Sequence, residues 1–286
     1  MKVRVLRPCR PLPALLCLLA LLAGIAAAAA AGPKSGGAAL SPRAQQAADA
    51  LTAYLDSLDG EVSVACMRLS DGFTFAYRED AGYYAASLLK APYALWLCRR
   101  AEAGEIDLDA PLPARGSAPA QTARQAMRAM IARSDDSATG QLYSLWPAEA
   151  GGGFTAFLAG IGVDRPQDAL TEQTRIHGEL SARDCLCILQ ALQDYFSTGT
   201  SLAASLQQDF MDAGHHLLPD DWPMAKKYGS WDGALHDMAI VYNSDPYLIA
   251  VMSDWGVDGV EFPEEGASRI AEIGLLAGDL MGMGGG

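Results

Sequence analysis

The chain has 286 residues, half of them hydrophobic, and a formal charge of −13. That length accommodates one large domain or two small ones. The acidic balance argues against nucleic acid or an anionic surface as a partner.

Lys2, Arg4, Arg7 and Arg10 are followed by an apolar run from Leu12 to Ile25 and small residues from Ala26 to Ala31. This is the pattern of an export signal over residues 1–31, with the product secreted or held in the cell envelope. The apolar run is short for a stable span, so no membrane anchor is expected after cleavage. Cys17 follows Leu16 rather than a small residue, which argues against a lipoprotein site. Residues 32–43 read as a linker. Beyond the signal only Lys34, Lys90, Lys226 and Lys227 remain as lysines. A lysine amine can release its proton where an arginine does not, so these positions are candidates for titratable chemistry. Cys66, Cys98, Cys185 and Cys187 match no zinc spacing and are expected as buried free thiols. No metal or cofactor is called for.

Ser41-Pro42 predicts a helix start, with Ser as N-cap and Pro in the first turn. Its stripe is Ala44, Ala47, Ala48, Leu51, Leu55 and Leu58. Val62, Val64 and Cys66 alternate as a strand, Asp71-Gly72 turns the chain, and Phe73, Phe75 and Tyr77 return. The run Leu88, Leu89, Ala91, Ala94, Leu95 and Leu97 predicts a helix opening at Ser87 and ending near Gly104. Thr122 caps a helix with Ala126, Met127, Met130 and Ile131. Ser137 to Trp146 is a second short helix and Phe154 to Leu158 a third. Ser181 and Asp184 form a capping box before Leu186, Leu189 and Leu192. Leu202 to Met211 is helical. Met224–Trp231, Met238–Tyr242 and Tyr247–Met252 read as strands, and Ile270, Ile273, Leu276 and Leu280 as a final helix. The order predicts an α+β fold in three α/β/α layers. A five-stranded antiparallel sheet lies between N- and C-terminal helices, with an all-α subdomain inserted. The sheet part would span 44–105 and 214–284, and the helical part 106–213.

Three stretches carry chemistry. In Ser87-Leu88-Leu89-Lys90 a hydroxyl and an amine lie one helical turn apart on one face. A serine is a weak nucleophile until a base takes its proton, and a lysine serves if its pKa is lowered. A helix cap followed by a solvated lysine has the same spacing. Ser134-Asp135-Asp136 lies between two helices, where Ser134 could pass a proton and Asp136 could bond a substrate amide; plain N-capping fits it as well. Lys227-Tyr228-Gly229-Ser230 lies on a strand. There Lys227 could hold a carboxylate, and Gly229 could let a ligand approach the backbone; an edge-strand lysine is the plainer reading.

As an ordered set, the three stretches resemble the S-x-x-K, S-D-N and K-T-G motifs of the class A β-lactamases and penicillin-binding proteins. Met130-Ile131, Leu218-Pro219 and Trp222 add to the resemblance, which covers residues 44 to 284. It implies that Ser87 is acylated, Lys90 is a base for it, and Ser134 returns a proton to the leaving nitrogen. It also implies that Asp136, Lys227, Gly229 and Ser230 bind substrate. The backbone N–H groups of Ser87 and Ser230 would form an oxyanion hole, where each donor is typically worth about 3 kcal/mol. The substrate would be a β-lactam or a peptidoglycan peptide, and the protein a monomer.

This sequence departs from that pattern in three places. Asp136 stands where the family usually has Asn, and Tyr228 where Thr or Ser is usual. No E-x-x-L-N lies between Asp164 and Glu179, leaving Glu172 and Glu179 as the nearby acids. Slow deacylation is the expectation. A D,D-peptidase and a non-catalytic penicillin-binding sensor are the alternatives. His215-His216 read as loop residues and His236 as structural.

Overall fold

The computed structural model describes residues 40–146, 153–170, 178–219 and 221–282; the expected export signal and most of the expected linker lie outside them. Helix α1 (Pro42–Ser57) starts where Ser41 accepts from the Ala44 N–H with Pro42 in the first turn. Strands β1 (Val62–Arg68) and β2 (Thr74–Tyr77) form the expected hairpin. After β3 (Tyr83–Tyr84) comes a 3₁₀ turn, Ala86–Leu89, and then α2 (Lys90–Glu102). Strands β4 (Pro111–Leu112) and β5 (Gln121–Thr122) pair ahead of α3 (Ala123–Ala132), which Thr122 and Gln125 cap reciprocally. Helices α4 (Asp136–Leu142) and α5 (Phe154–Gly160) follow. Strand β6 (Glu179–Leu180) leads to α6 (Ala182–Phe196), with its Ser181–Asp184 capping box, and to α7 (Ser201–Met211). Strands β7 (Met224–Trp231), β8 (Ala234–Val241) and β9 (Tyr247–Ser253) precede α8 (Glu264–Gly282).

The main sheet has the order β2-β1-β9-β8-β7 and is antiparallel throughout. Strand β9 is buried along its whole length, because both faces of the sheet are covered. Tyr247, Ile249 and Val251 pack on one side with Leu51 and Leu55 of α1 and Ile270, Ile273 and Leu280 of α8. Leu248, Ala250 and Met252 pack on the other with α2, α3 and α6. This gives the three layers read from the element order. Helix α2 lies deep in the second layer, where Tyr93 and Trp96 meet Trp146 and Phe154, and the Tyr93 hydroxyl donates to the Leu142 carbonyl at 3.0 Å. Its first residue, Lys90, is thereby carried into the interior.

Cys66, Cys98 and Cys185 are buried free thiols. Cys187 is disulfide-bonded, which corrects the expectation for that residue. Among the described residues no helix is long and apolar enough to cross a membrane.

Candidate active site

Ser87 lies on the 3₁₀ turn rather than in the α-helix, which begins three residues later at Lys90. The turn is entered through Ala86, whose φ of 46° is in the left-handed region. A non-glycine residue held there stores on the order of 1–3 kcal/mol of strain, so its surroundings must enforce it. Three contacts do so. The Ala85 N–H donates to the Gly178 carbonyl at 2.8 Å. The Tyr84 carbonyl accepts from His236 Nε2 at 2.8 Å. Gly229 of β7 packs against the turn, and a Cβ there would lie 3.0 Å from the Ala85 carbonyl oxygen and 3.3 Å from Ala86 Cβ. What needs room at Gly229 is therefore the Ser87 turn itself, where a ligand was expected. Ser230, next on the strand, is half-buried opposite Leu235.

His236 is fully buried between two hydrogen bonds. Its Nδ1 accepts from the Ser253 N–H at 3.1 Å, which leaves the proton on Nε2 for Tyr84. Burial pushes its pKa down to about 4. Protonation therefore opposes folding, and the stability that neutral His236 preserves is lost as pH falls from 6.5 towards 4, at up to about 1.4 kcal/mol per pH unit. Asp237, next to it, is pushed up to about 6 by burial and acts with the opposite sign in this window. His236→Gln removes only the first effect. In thermal melts, the stability of this variant relative to wild type should improve as pH is lowered from 6.5 to 4; parallel profiles would refute the assignment.

Lys90, Ser134, Asp136 and Lys227 converge on one point. Ser134 sits between α3 and α4 with φ 53°, again left-handed. Asp135 holds that bend, its N–H donating to the Ala129 carbonyl at 3.2 Å and its side chain capping the Ala138 N–H at 2.9 Å. The bend turns both oxygens of Ser134 towards Lys90, whose Nζ donates to the carbonyl at 2.6 Å and to the hydroxyl at 3.1 Å. Lys227 Nζ donates to the same hydroxyl at 3.0 Å and to the Tyr228 carbonyl at 2.8 Å. One hydroxyl thus links two amines that lie 137 positions apart in sequence.

The third bond of Lys90 goes to Asp136 Oδ1 at 2.6 Å. The lysine side chain is 0% exposed and the aspartate 76%. One oxygen of Asp136 thus binds the candidate base from the solvent side; the sequence suggested a contact to a substrate amide for this residue. Burial lowers the Lys90 pKa, while Asp136 and then Asp135 raise it. Lys227 is driven well below its usual range, first by burial and then by the charge of Lys90. Repulsion between the lysines therefore weighs on Lys227, whereas burial acts on Lys90.

Tyr228 is the departure with the largest structural consequence. Its ring stacks with Phe262 at 5.3 Å and lies 5.2 Å from His215. Its hydroxyl donates to Glu261. Glu261 and Phe262 were not singled out in the sequence, and His215 was read there only as a loop residue. The one signal was Tyr at a position where a small hydroxyl residue was expected.

The described ends of the connection ahead of α6 are bonded to each other. Gly178 N–H donates to the Ala169 carbonyl at 3.1 Å and Glu179 N–H to the Asp168 carbonyl at 2.7 Å. A Cβ at Gly178 would fall 2.0 Å from the Asp168 carbonyl oxygen, so only glycine fits. Glu179 pairs with Tyr84 across β3 and β6, and its carboxylate lies with Arg165 over Gly82. Glu172 lies outside the described residues.

The architecture is the β-lactamase/transpeptidase-like fold. A β-lactamase from Chitinophaga pinensis DSM 2588 superposes with a TM-score of 0.66 at 20% identity, over 82% of this chain and 98% of the other. A β-lactamase from Sphaerobacter thermophilus DSM 20745 gives 0.69 at 17% identity, over 84% and 99%. PBP-A gives 0.68 at 14% identity, over 81% and 94%. No curated protein matches the chain in sequence. The pattern of the Beta-lactamase enzyme family matches residues 45–281, and the chain belongs to that family.

Proposed function

We propose that this protein is an exported, monomeric active-site serine hydrolase of β-lactamase type, which opens an amide through an acyl-enzyme on Ser87 and releases it slowly. The observation that carries the reading is the Ser134 hydroxyl, shared by Lys90 at 3.1 Å and Lys227 at 3.0 Å beside the Ser87 turn. Neutral Lys90 takes the Ser87 proton as Oγ bonds to the substrate carbonyl carbon. The carbon–nitrogen bond then breaks, and the nitrogen leaves with a proton from Ser134, which the amines replenish. The Ser87 and Ser230 N–H groups stabilise the oxyanion. Lys227 and the strand at Gly229 hold the substrate. In deacylation water adds to the ester and Ser87 regains its proton. Export rests on the residue 2–31 pattern, and the negative charge of the chain suits a small-molecule or peptide substrate better than nucleic acid.

A stoichiometric penicillin-binding protein is the second reading. It is favoured by the Asp136 carboxylate, which raises the Lys90 pKa against the larger lowering by burial.

Intact-mass spectrometry after incubation with benzylpenicillin at high concentration should show one adduct per chain, and peptide mapping should place it on Ser87. An adduct on another residue, or equal labelling of Ser87→Ala, would sink the assignment.

A further inference from the structure

The strand at Lys227 is equipped for a different ligand group from the carboxylate that a K-T-G strand implies. A threonine hydroxyl there would stand close to the backbone with its proton free for an incoming anion. The Tyr228 hydroxyl instead sits at the far end of a ring packed against both His215 and Phe262. His215 and Phe262 also stack on each other at 5.2 Å, so the ring has little freedom to turn away. A hydroxyl has a single proton, and this one is given to Glu261. The phenol oxygen, which also bonds the Ser134 hydroxyl, then has no proton to offer a ligand and only its remaining lone pair, and Glu261 adds a second acceptor that is negatively charged. Lys227 Nζ stands 4.6 Å from the Tyr228 ring centroid, with two of its three N–H donors already committed to Ser134 and to the Tyr228 carbonyl.

An entering carboxylate would meet the acceptor face of Tyr228 and the Glu261 charge, while losing its water. An amide N–H or an ammonium would find two acceptors in place. Glu261 supplies from the chain itself the negative charge that a substrate would otherwise bring to this end of the site. We propose that the Tyr228–Glu261 pair sets specificity, and that the group next to the scissile bond in the preferred substrate is an N–H-bearing amide or ammonium rather than a free carboxylate. This deepens the serine-hydrolase reading: an amidated or internal peptide-like substrate is preferred over one that ends in a carboxylate, and free-acid β-lactams react only at high concentration.

Recognition is separable from chemistry in Ser87→Ala, which binds without being acylated. Equilibrium binding of benzylpenicillin and of its carboxamide, which share one bicycle, should be compared in that background by calorimetry at low ionic strength. The carboxamide is expected to bind at least tenfold more tightly. Adding Glu261→Gln, which keeps the shape and removes the charge, should reduce the ratio to about threefold or less. Tyr228→Thr should shift it in the same direction. The proposal is overturned if the acid binds as well as the carboxamide, if neither substitution moves the ratio, or if neither form binds at millimolar concentration. Failure of the Ser87 assignment would appear elsewhere, as a missing adduct in the wild-type chain, and would leave the binding ratio unchanged.

Discussion

Lys90→Arg should lower the rate of Ser87 acylation by about 10²- to 10⁴-fold, the range that general-base assistance supplies. The base must be neutral when it acts, and a guanidinium does not become so. Burial lowers the pKa of Lys90 and Asp136 raises it, so acylation should climb with pH through the Lys90 ionisation. Removing the anion moves that limb in a known direction. Asp136→Asn withdraws a stabiliser of the ammonium, so the limb should shift to lower pH and acylation on its acid side should quicken. A fully buried arginine could disturb packing, so Lys90→Gln serves as the smaller replacement and should show the same loss with an unchanged thermal midpoint. The measurement is the pseudo-first-order rate of adduct formation between pH 5 and 9. A flat profile together with an active Arg variant would exclude Lys90 as the base.

The second large effect concerns release of the acyl group. Deacylation needs a water near the ester carbonyl and a base within about 3 Å of it. The described ends of the connection ahead of α6 are pinned. Asp168 and Ala169 bond to Glu179 and Gly178, and Gly178 bonds in turn to Ala85, two residues before Ser87. The Glu179 carboxylate is directed over Gly82 with Arg165. No carboxylate in the described part of this connection is placed as that base, and without one deacylation should run about 10²- to 10⁴-fold below what an assisted step achieves. At saturating nitrocefin the expected trace is one equivalent of product in a burst, followed by a slow linear phase. Rapid turnover without a burst would mean that a carboxylate does reach the water. Loss of that turnover in Glu172→Gln would then identify the base.

Much of the fold was determined by local sequence. Helix starts at Ser41, Thr122 and Ser181 are fixed by side chains that satisfy free N–H groups within three residues. The strands were legible because alternation, or an unbroken apolar run in β9, reports which faces are buried. The three chemical stretches were legible for a related reason: hydroxyl, amine and glycine recur at spacings that a turn or a strand converts into shared direction. What the sequence could not determine is what each group spends its bonds on. Asp136 looked like a ligand for substrate and is paired with Lys90, because the Ser134 bend and the buried start of α2 bring them to 2.6 Å. Gly229 looked like room for a ligand and is room for the Ser87 turn. Glu261 had no local signal at all, since its partner Tyr228 is 33 residues away and the two meet only when the loop before α8 folds back on edge strand β7. Capping and periodicity are properties of neighbours along the chain, and sequence alone determines them. The charge state of a buried amine and the proton on a phenol depend on groups brought from distant segments, and only the tertiary structure decides them.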